Sequence, residues 1–368
     1  MKTLDPVELM GARGKVLDEL LREAGRLRDE AHGRTVTFSP KVFLPVTNLC
    51  RDHCSYCTFR KNPNDPGAWT MTVGEIRDVC RTGRRQSCQE ALMCLGDKPE
   101  LAFSSYRKML REWGYDSTAD YVYRACQVAL EEDMLPHTNA GIMSREEMVR
   151  LRPVNASMGL MLENVSPRLR EKGQAHHAAP DKEPAVRMRM LEEAGELNIP
   201  FTTGLLVGIG ETLQERVDTL VAIRDLHARY GHVQEVIVQN FRAKPGTRME
   251  GAVEVCAEEM AATVAVARLI LGGEMHLQAP PNLSPDDHRL LLRAGLDDWG
   301  GVSPVTQDYI NPEAPWPHLR DLQATCRAEG FELRPRLPVY REYVKPEFVA
   351  PGLLARVLAA EEKLLCLN

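Results

Sequence analysis

Thr47–Cys57, the stretch Thr-Asn-Leu-Cys-Arg-Asp-His-Cys-Ser-Tyr-Cys, places three cysteines on one short segment. They are Cys50, Cys54 and Cys57, spaced Cys-x3-Cys-x2-Cys, and they follow a short apolar run that ends at Val46. Three thiolates at this spacing can bind three irons of a cubane [4Fe–4S] cluster and leave the fourth iron without a protein ligand. An ordinary electron-transfer cluster needs a fourth cysteine. The spacing therefore predicts a cluster with one open iron, directly after a first strand.

Two other uses of these cysteines remain open from the residues alone. Structural zinc sites usually combine two Cys-x2-Cys pairs, and here Cys54 and Cys57 form one pair without a second pair downstream. A redox role for that pair leaves Cys50 without a function. The open-iron cluster is the favoured interpretation.

Eight short apolar runs alternate with longer helical segments, a pattern typical of repeated βα units and a parallel sheet. Eight strands close a barrel, and 368 residues are enough for one. The predicted fold class is α/β, a TIM-type (β/α)8 barrel with an N-terminal helical leader and a C-terminal extension. The predicted strands are Val42–Val46, Ala91–Leu95, Leu135–Asn139, Ala156–Leu162, Phe201–Val207, Val233–Gln239, Met275–Ala279 and Asp297–Val302.

Helix starts and proline breaks give the predicted boundaries. A hydroxyl residue followed three positions later by an acid is typical of a helix N-terminus. The predicted domains are a helical leader over 1–36, the barrel over 37–310, and a C-terminal helix and tail packed on the barrel over 311–368. The four predicted helix starts are Thr72 with Glu75, Ser144 with Glu147, Thr212 with Glu215, and Ser284 with Asp287.

The composition is that of a globular protein. Hydrophobic residues make up 43%, charged residues 27%, and the net charge is -6, so we expect no nucleic-acid partner, because such proteins carry a local excess of Lys and Arg. Met1–Leu20 is rich in acidic residues and has no apolar run, so we expect neither a secretory signal nor a membrane partner. Ten cysteines without a signal favour the reducing cytoplasm.

The Cys-x3-Cys-x-Tyr-Cys motif after a first strand resembles the radical S-adenosylmethionine (radical SAM) superfamily. The resemblance implies two cofactors, a [4Fe–4S] cluster and S-adenosylmethionine. It also implies that the reduced cluster cleaves S-adenosylmethionine to a 5′-deoxyadenosyl radical, which removes hydrogen from a substrate, with an electron donor such as flavodoxin or ferredoxin.

Five further residues match the positions at which this superfamily binds S-adenosylmethionine. Tyr56 precedes the third cysteine, where the superfamily has an aromatic residue beside the adenine, although a loop-packing role explains it equally well. Gly96 and Asp97 partly match a Gly-Gly-Glu motif after the second strand. Glu163 ends the fourth strand and resembles a ribose or amino-group ligand, whereas a helix cap is its alternative. Gly208 belongs to a fifth-strand glycine motif, which as a bare pattern also marks a turn.

A closer resemblance, from about residue 40 to about residue 345, is to the family of 7,8-didemethyl-8-hydroxy-5-deazariboflavin synthases, specifically the ring-closing subunit. It implies a lyase that converts 5-amino-5-(4-hydroxybenzyl)-6-(D-ribitylimino)-5,6-dihydrouracil, a small molecule, to the deazaflavin with loss of ammonia. An adduct-forming sister subunit would supply that substrate, and the single cysteine motif indicates the stand-alone closing half. The segments that carry the resemblance are Pro45–Asp52, Glu90–Glu100, Gln239–Pro245, Gln278–Leu283 and Asp298–Pro304.

Polar residues at strand mouths are the predicted substrate ligands, because barrel active sites lie at the carboxyl ends of the strands. Each could instead cap a helix or bind a loop carbonyl. His137 and His276 are candidate proton carriers, since imidazole titrates near neutrality, although a structural role is the alternative for His276 within its strand. The predicted substrate ligands are Asn139, Gln239, Asn240, Gln278 and Asp298.

Two rival functions remain open on these residues. One is a sister radical enzyme, such as the adduct-forming subunit or a menaquinone-pathway or biotin-synthase-like relative. The other is a non-catalytic metal-binding or redox-sensing protein, in which the cluster or a zinc ion serves structure alone.

Overall fold

The structure is a computed structural model that describes residues 5–365. Its strands are β1 (Thr35–Pro45), β2 (Glu90–Cys94), β3 (Leu135–Asn139), β4 (Ser157–Gly159), β5 (Phe201–Val207), β6 (Val233–Asn240), β7 (His276–Gln278), β8 (Asp298–Val302) and β9 (Glu332–Pro335). Its α-helices are α1 (Pro6–Met10), α2 (Gly14–His32), α3 (Val73–Arg85), α4 (Pro99–Ala102), α5 (Ser104–Glu112), α6 (Thr118–Glu131), α7 (Arg145–Leu151), α8 (Pro184–Glu196), α9 (Leu213–Tyr230), α10 (Ala257–Leu271), α11 (His288–Arg293), α12 (Leu319–Ala328) and α13 (Pro351–Leu365). None of the helices within residues 5–365 is both long and apolar enough to cross a membrane.

β1 to β8 form a closed parallel barrel. Neighbouring strands pair in the order β2, β3, β4, β5, β6, β7, β8 and β1, and β1 also pairs with β2, which closes the ring. Every one of these pairings is parallel. Because all eight strands are parallel, their carboxyl ends meet at one mouth of the barrel. The helices that connect the strands cover the outside of the ring. The predicted (β/α)8 fold class is confirmed.

Several strand bounds differ from the predicted ones. β1 begins at Thr35, seven positions before the predicted Val42, because its first half pairs with β8 and β9 while its second half pairs with β2. β4 has three residues rather than the predicted seven. Beyond β4 the chain stays beside β5 through isolated bonds, such as the Glu163 amide donating to the Gly204 carbonyl at 2.9 Å.

Three of the four predicted helix starts are confirmed. Thr72, Ser144 and Thr212 each accept from the backbone amide three residues on, and the glutamate there accepts in return. The fourth prediction is wrong, because α11 begins at His288 with Asp287 at its N-cap and no side-chain cap bond.

The segment that follows the barrel covers the end of the barrel at which the strands begin, a role that the sequence did not indicate. β9 adds to the sheet beside the first residues of β1, and the chain then turns under the barrel. The Pro338 carbonyl accepts from Ser157 Oγ at 2.5 Å and from Gln234 Nε2 at 3.1 Å, so Arg336–Tyr340 forms a fixed floor. The predicted domain limits at residues 36 and 310 stay predictions, and residues 1–4 and 366–368 lie outside the described range.

His276 is the first residue of β7, at this closed end, and lies in a partly buried charged cluster. Its Nδ1 lies 2.5 Å from Asp297 Oδ2 and its Nε2 lies 3.0 Å from Glu342 Oε1, while Asp297 also accepts from Arg268 at 2.5 Å. His32 stands beside the pair, with its Nε2 3.9 Å from Asp297. Burial lowers the pKa of His276, but Asp297 and Glu342 outweigh burial and raise it to about 9.

We expect the His276→Gln variant to show a pH-dependent loss of stability. A histidine whose pKa is raised on folding stabilises the folded state fully below its unfolded pKa, and this contribution disappears as the pH rises through the folded value. The free energy of unfolding should therefore differ from wild type by about 3 kcal/mol at pH 6 and by much less at pH 10. Urea unfolding of the metal-free protein at pH 6, 8 and 10 measures the difference, and a difference that is constant with pH would contradict the assignment.

Candidate active site

The three cysteines lie on the loop that follows β1, at the mouth of the barrel. Cys50, Cys54 and Cys57 line one cavity together. The loop is fixed by backbone bonds to another loop, since the His53 amide donates to the Ala178 carbonyl at 2.9 Å and the Ser55 amide donates to the Ala175 carbonyl at 2.8 Å. The three sulfurs therefore face a common space and are held there by the fold.

The end of β2 packs directly against this loop, and its glycine makes that contact possible. A Cβ atom on Gly96 would lie 2.0 Å from the Leu49 carbonyl oxygen and 2.6 Å from Cys50 Cβ. The next amide, that of Asp97, donates to Cys50 Sγ at 3.1 Å. Backbone amides that donate to cysteine sulfur are a common feature of iron–sulfur sites. This environment fits a cluster bound by three thiolates.

Burial holds the Cys50 and Cys54 thiols in their neutral form while no cation is bound. It raises the pKa of Cys50 to about 12 and raises that of Cys54 well above its usual value. A coordinated metal reverses this effect, because a metal-bound thiol is deprotonated outright. Nine cysteines are free of disulfide bonds within residues 5–365, these three included.

Tyr56 and Glu163 meet in a hydrogen-bonded network on the cavity wall. The Tyr56 hydroxyl donates to Glu163 and lies 3.0 Å from His176 Nε2, and Lys182 forms an ion pair with the other Glu163 oxygen. Burial raises the pKa of Glu163, but Lys182 and His176 outweigh it and hold the pKa well below its usual value. Glu163 has a φ of +65°, a left-handed conformation that is strained for a side chain of this type. The site thus keeps a buried, ionised carboxylate beside the cysteines.

Asp97 lines the same cavity, whereas Gly208 does not line it. The Asp97 carboxylate accepts from the Ile142 amide at 3.1 Å, and burial together with Asp181 raises its pKa to about 7. Gly208 has a φ of +96°, and its amide donates to Glu211 at 2.7 Å. Gly208 therefore shapes the turn after β5 and presents no group to the cavity.

A second cavity fills the barrel lumen. It is lined by alternate residues of the strands, because successive side chains of a strand point to opposite faces. Asn139, Gln239 and Gln278, which were predicted to bind substrate, line this cavity, and so does the candidate proton carrier His137. Their roles stay predictions. Burial lowers the pKa of His137 to about 4, and its Nδ1 lies 2.7 Å from Ser157 Oγ, so the ring is neutral at pH 7.

The two cavities share one wall. That wall is a ring of side chains at the carboxyl ends of the strands, together with a residue from the loop after β8. The cysteine cavity and the lumen are therefore adjacent to one another across these side chains. The shared residues are Cys94, Asn139, Met161, Gln239 and Ile310.

Besides Gly208, three of the predicted site residues lie away from both cavities. Asn240 points outward because it follows Gln239 on β6, and its amide donates to the Leu283 carbonyl at 3.0 Å. Asp298 is the first residue of β8, not the last, and it binds Arg336 at 2.6 Å at the closed end. His276 lies in the charged cluster at that same end. Each of these three side chains is bound to neighbouring residues and does not face either of the two cavities.

Sequence reasoning missed the charged residues inside the lumen. Lys41, Glu90 and Glu235 lie within strands and point inward, whereas the predicted ligands are residues at the mouths of the strands. The period of two along β1, β2 and β6 could have identified them. Lys182 and His176 belong to a long loop, and nothing in the sequence indicated that they contact Glu163.

Comparisons with known proteins agree with this geometry. The family model of the Radical SAM superfamily matches residues 44–223. The chain is 49% identical to the 7,8-didemethyl-8-hydroxy-5-deazariboflavin synthase of Methanopyrus kandleri, over 84% of this chain and 93% of that protein. It is 52% identical to the FO synthase of Mycobacterium tuberculosis, over 95% of this chain but 43% of that protein. The chain thus spans less than half the length of the FO synthases that it matches.

Solved structures share the fold at low sequence identity. An [FeFe]-hydrogenase maturase from Carboxydothermus hydrogenoformans superposes with a TM-score of 0.73 at 18% identity, over 98% of this chain and 80% of that chain. Methylornithine synthase superposes with a TM-score of 0.69 at 18% identity, over 90% and 93%. The chain belongs to the radical SAM superfamily, whose enzymes use a [4Fe–4S] cluster and S-adenosylmethionine, and within it to the family of 7,8-didemethyl-8-hydroxy-5-deazariboflavin synthases.

Proposed function

We propose that this radical SAM enzyme closes the deazaflavin ring. Its substrate would be 5-amino-5-(4-hydroxybenzyl)-6-(D-ribitylimino)-5,6-dihydrouracil, and its product 7,8-didemethyl-8-hydroxy-5-deazariboflavin, with ammonia released by a carbon–nitrogen lyase step. The conversion also removes two hydrogens, a two-electron oxidation for which the cleavage of one S-adenosylmethionine to methionine and 5′-deoxyadenosine would be the oxidant. The observation that carries the proposal is the wall shared by the cysteine cavity and the lumen. The names of the relatives support the choice of product.

In this proposal the cysteine cavity holds the cofactors. Cys50, Cys54 and Cys57 bind the cluster, and Asp97 and Glu163 offer carboxylates to the amino group or ribose of S-adenosylmethionine. When bound, these cofactors supply a one-electron cleavage that yields a 5′-deoxyadenosyl radical. Tyr56 fixes Glu163 through its hydroxyl, Gly96 lets β2 approach the loop, and Gly208 acts only through the turn it forms.

The lumen holds the substrate, with its benzylic carbon at the shared wall. Asn139, Gln239 and Gln278 offer amide donors and acceptors to the pyrimidine ring. His137 is the proton acceptor that we propose for ring closure, because its neutral imidazole faces the lumen. With a pKa of about 4 it is a weak base, so it would hold the accepted proton only briefly and pass it on readily.

The proposal also includes protein partners and a cellular location. An adduct-forming sister subunit would supply the substrate, and a small reductant such as flavodoxin or ferredoxin would reduce the cluster. The cysteine-rich composition supports the cytoplasm as the location.

Anaerobic turnover tests the function. Reconstituted protein, S-adenosylmethionine, reductant and the adduct should give a fluorescent deazaflavin together with 5′-deoxyadenosine. Consumption of tyrosine in place of the adduct would instead identify the adduct-forming activity, and 5′-deoxyadenosine without deazaflavin would overturn the proposed substrate.

A further inference from the structure

The inner end of the lumen differs from its mouth in charge. Lys41 lies opposite Glu90, and Thr202 lies opposite Glu235, in the register of the barrel. Two residues further along, Phe43 faces Leu92, so the layer above is more apolar. The cavity therefore has a charged floor beneath a partly apolar middle.

Most of that floor is already saturated with internal bonds. Arg336 donates to Asp298 at 2.6 Å and 3.0 Å and to the Leu337 carbonyl at 3.0 Å, and it forms an ion pair with Glu235. Glu235 also accepts from Tyr340 at 3.1 Å. These contacts fix the closing segment of the chain and leave little for a ligand.

Lys41 and Glu90 have fewer internal bonds than Arg336 and Glu235. Lys41 Nζ lies 2.8 Å from Glu90 Oε1, and that carboxylate is its only ion-pair partner within residues 5–365. An ammonium group has three donors, so two of them remain for the cavity that Lys41 lines. Ser39 donates to the other Glu90 oxygen, which leaves the carboxylate further acceptor sites. The pair offers donors and acceptors side by side to a ligand.

Two glycines in β8 make room for these side chains. A Cβ atom on Gly301 would lie 2.2 Å from Lys41 Cε, and one on Gly300 would lie 1.8 Å from Gln278 Nε2. Lys41 and Gln278 can lie across the lumen only because these positions carry no side chain. Gly300 and Gly301 therefore leave the space that these two side chains occupy in the cavity.

We propose that Lys41 and Glu90 bind the polyhydroxylated chain of the substrate and so determine specificity, an inference that rests on the function proposed above. Each hydroxyl of a polyol both donates and accepts, which matches an ammonium and a carboxylate side by side. A flat pyrimidine has a fixed pattern of donors and acceptors, which suits the amides of Gln278 and Asn139 higher in the lumen. The floor lies four residues below the shared wall along β2, or about 13 Å.

The orientation of the substrate follows from this placement. The carbon that loses hydrogen must lie at the shared wall, beside Met161 and Gln239. The polyol chain then points down the lumen to the Lys41–Glu90 pair.

Two substrates test the proposal: the ribityl adduct and the same adduct with methyl in place of ribityl. We expect wild type to prefer the ribityl adduct by roughly 100-fold in kcat/KM, since hydrogen bonds to charged groups are the strong ones. In Lys41→Met and Glu90→Gln the preference should fall to roughly 10-fold or less, mainly through KM. The double variant Lys41→Met/Glu90→Gln removes both charges together and leaves neither buried and unpaired. Lys108→Met is the matched control, because Lys108 pairs with Glu112 on the surface.

The outcomes separate the two proposals. Failure of wild type to form deazaflavin from the ribityl adduct would overturn the proposed function. Deazaflavin formed equally well from both adducts, or a Lys41→Met variant with an unchanged preference, would overturn this inference alone. Fluorescence titration of the protein with ready-made deazaflavin, which carries the same polyol, gives a binding measurement that needs no turnover, and weaker binding by the double variant is expected.

Discussion

Replacing Cys54 with alanine should reduce the release of 5′-deoxyadenosine by at least about 100-fold. Loss of a residue that only orients a metal ligand already lowers activity by up to about 100-fold, and loss of the ligand itself should lower it further. Iron and sulfide content should fall with it. The barrel should remain folded, since Cys54 lies on a loop at the mouth and its side chain is not part of the main core. Far-UV circular dichroism, iron and sulfide analysis and chromatographic detection of 5′-deoxyadenosine measure the three quantities.

Cys256→Ala is the matched control for this experiment. Cys256 is exposed and lies at the start of α10, away from the cysteine loop, so the same substitution should leave iron content and 5′-deoxyadenosine release unchanged. A Cys54→Ala variant that still bound a full cluster would mean that another residue supplies the third ligand. A folded variant that bound zinc in wild-type amount would favour the structural alternative.

Gly96→Ala should be almost as severe, although it removes no ligand. The new Cβ would lie 2.0 Å from the Leu49 carbonyl oxygen, a contact with backbone that no side-chain rotation can relieve. The cysteine loop would have to move by about 1 Å or more, and displacement of that size in an active site can lower the rate about 100-fold. Cluster content and 5′-deoxyadenosine release measure the effect.

Gly74→Ala provides the comparison for Gly96→Ala. Gly74 lies in α3, and its nearest neighbour to an added Cβ is Thr72 Oγ1 at 3.8 Å, so the methyl group fits. Helical alanine should stabilise the protein slightly relative to glycine. Equal cluster content in both variants would show that the loop tolerates displacement and that its close contact with β2 has no role in holding the metal.

The order of strands and helices could be predicted from the sequence because each depends on local pattern. Phe201–Val207 is rich in apolar and β-branched residues and forms β5 with these bounds. The caps at Thr72, Ser144 and Thr212 depend on residues three apart. β9 could not be predicted in the same way. Its pairing with Thr35–Phe38 joins segments almost 300 residues apart, and no local signal records such a contact.

The candidate site, too, could be predicted only where it depends on a local sequence pattern. The cysteine spacing predicts the metal loop from a local pattern. The positions of Asn139, Gln239 and Gln278 at predicted strand ends led to the prediction that they bind substrate, and all three line the lumen. The placement of Asp298 at the mouth was wrong, because Asp298 lies at the amino end of the predicted strand Asp297–Val302, and that end of a barrel strand lies opposite the mouth. Lys41 and Glu90 were overlooked, since charged residues inside a barrel contradict the usual pattern of a buried strand.

Deuterium transfer tests the central claim most directly, namely that the radical cavity and the lumen act as one site. The adduct would carry deuterium at its benzylic carbon and would be turned over anaerobically with S-adenosylmethionine. The shared wall at Met161 and Gln239 predicts that deuterium appears in 5′-deoxyadenosine while fluorescent deazaflavin forms. Deuterium-free 5′-deoxyadenosine, released without deazaflavin, would contradict the account.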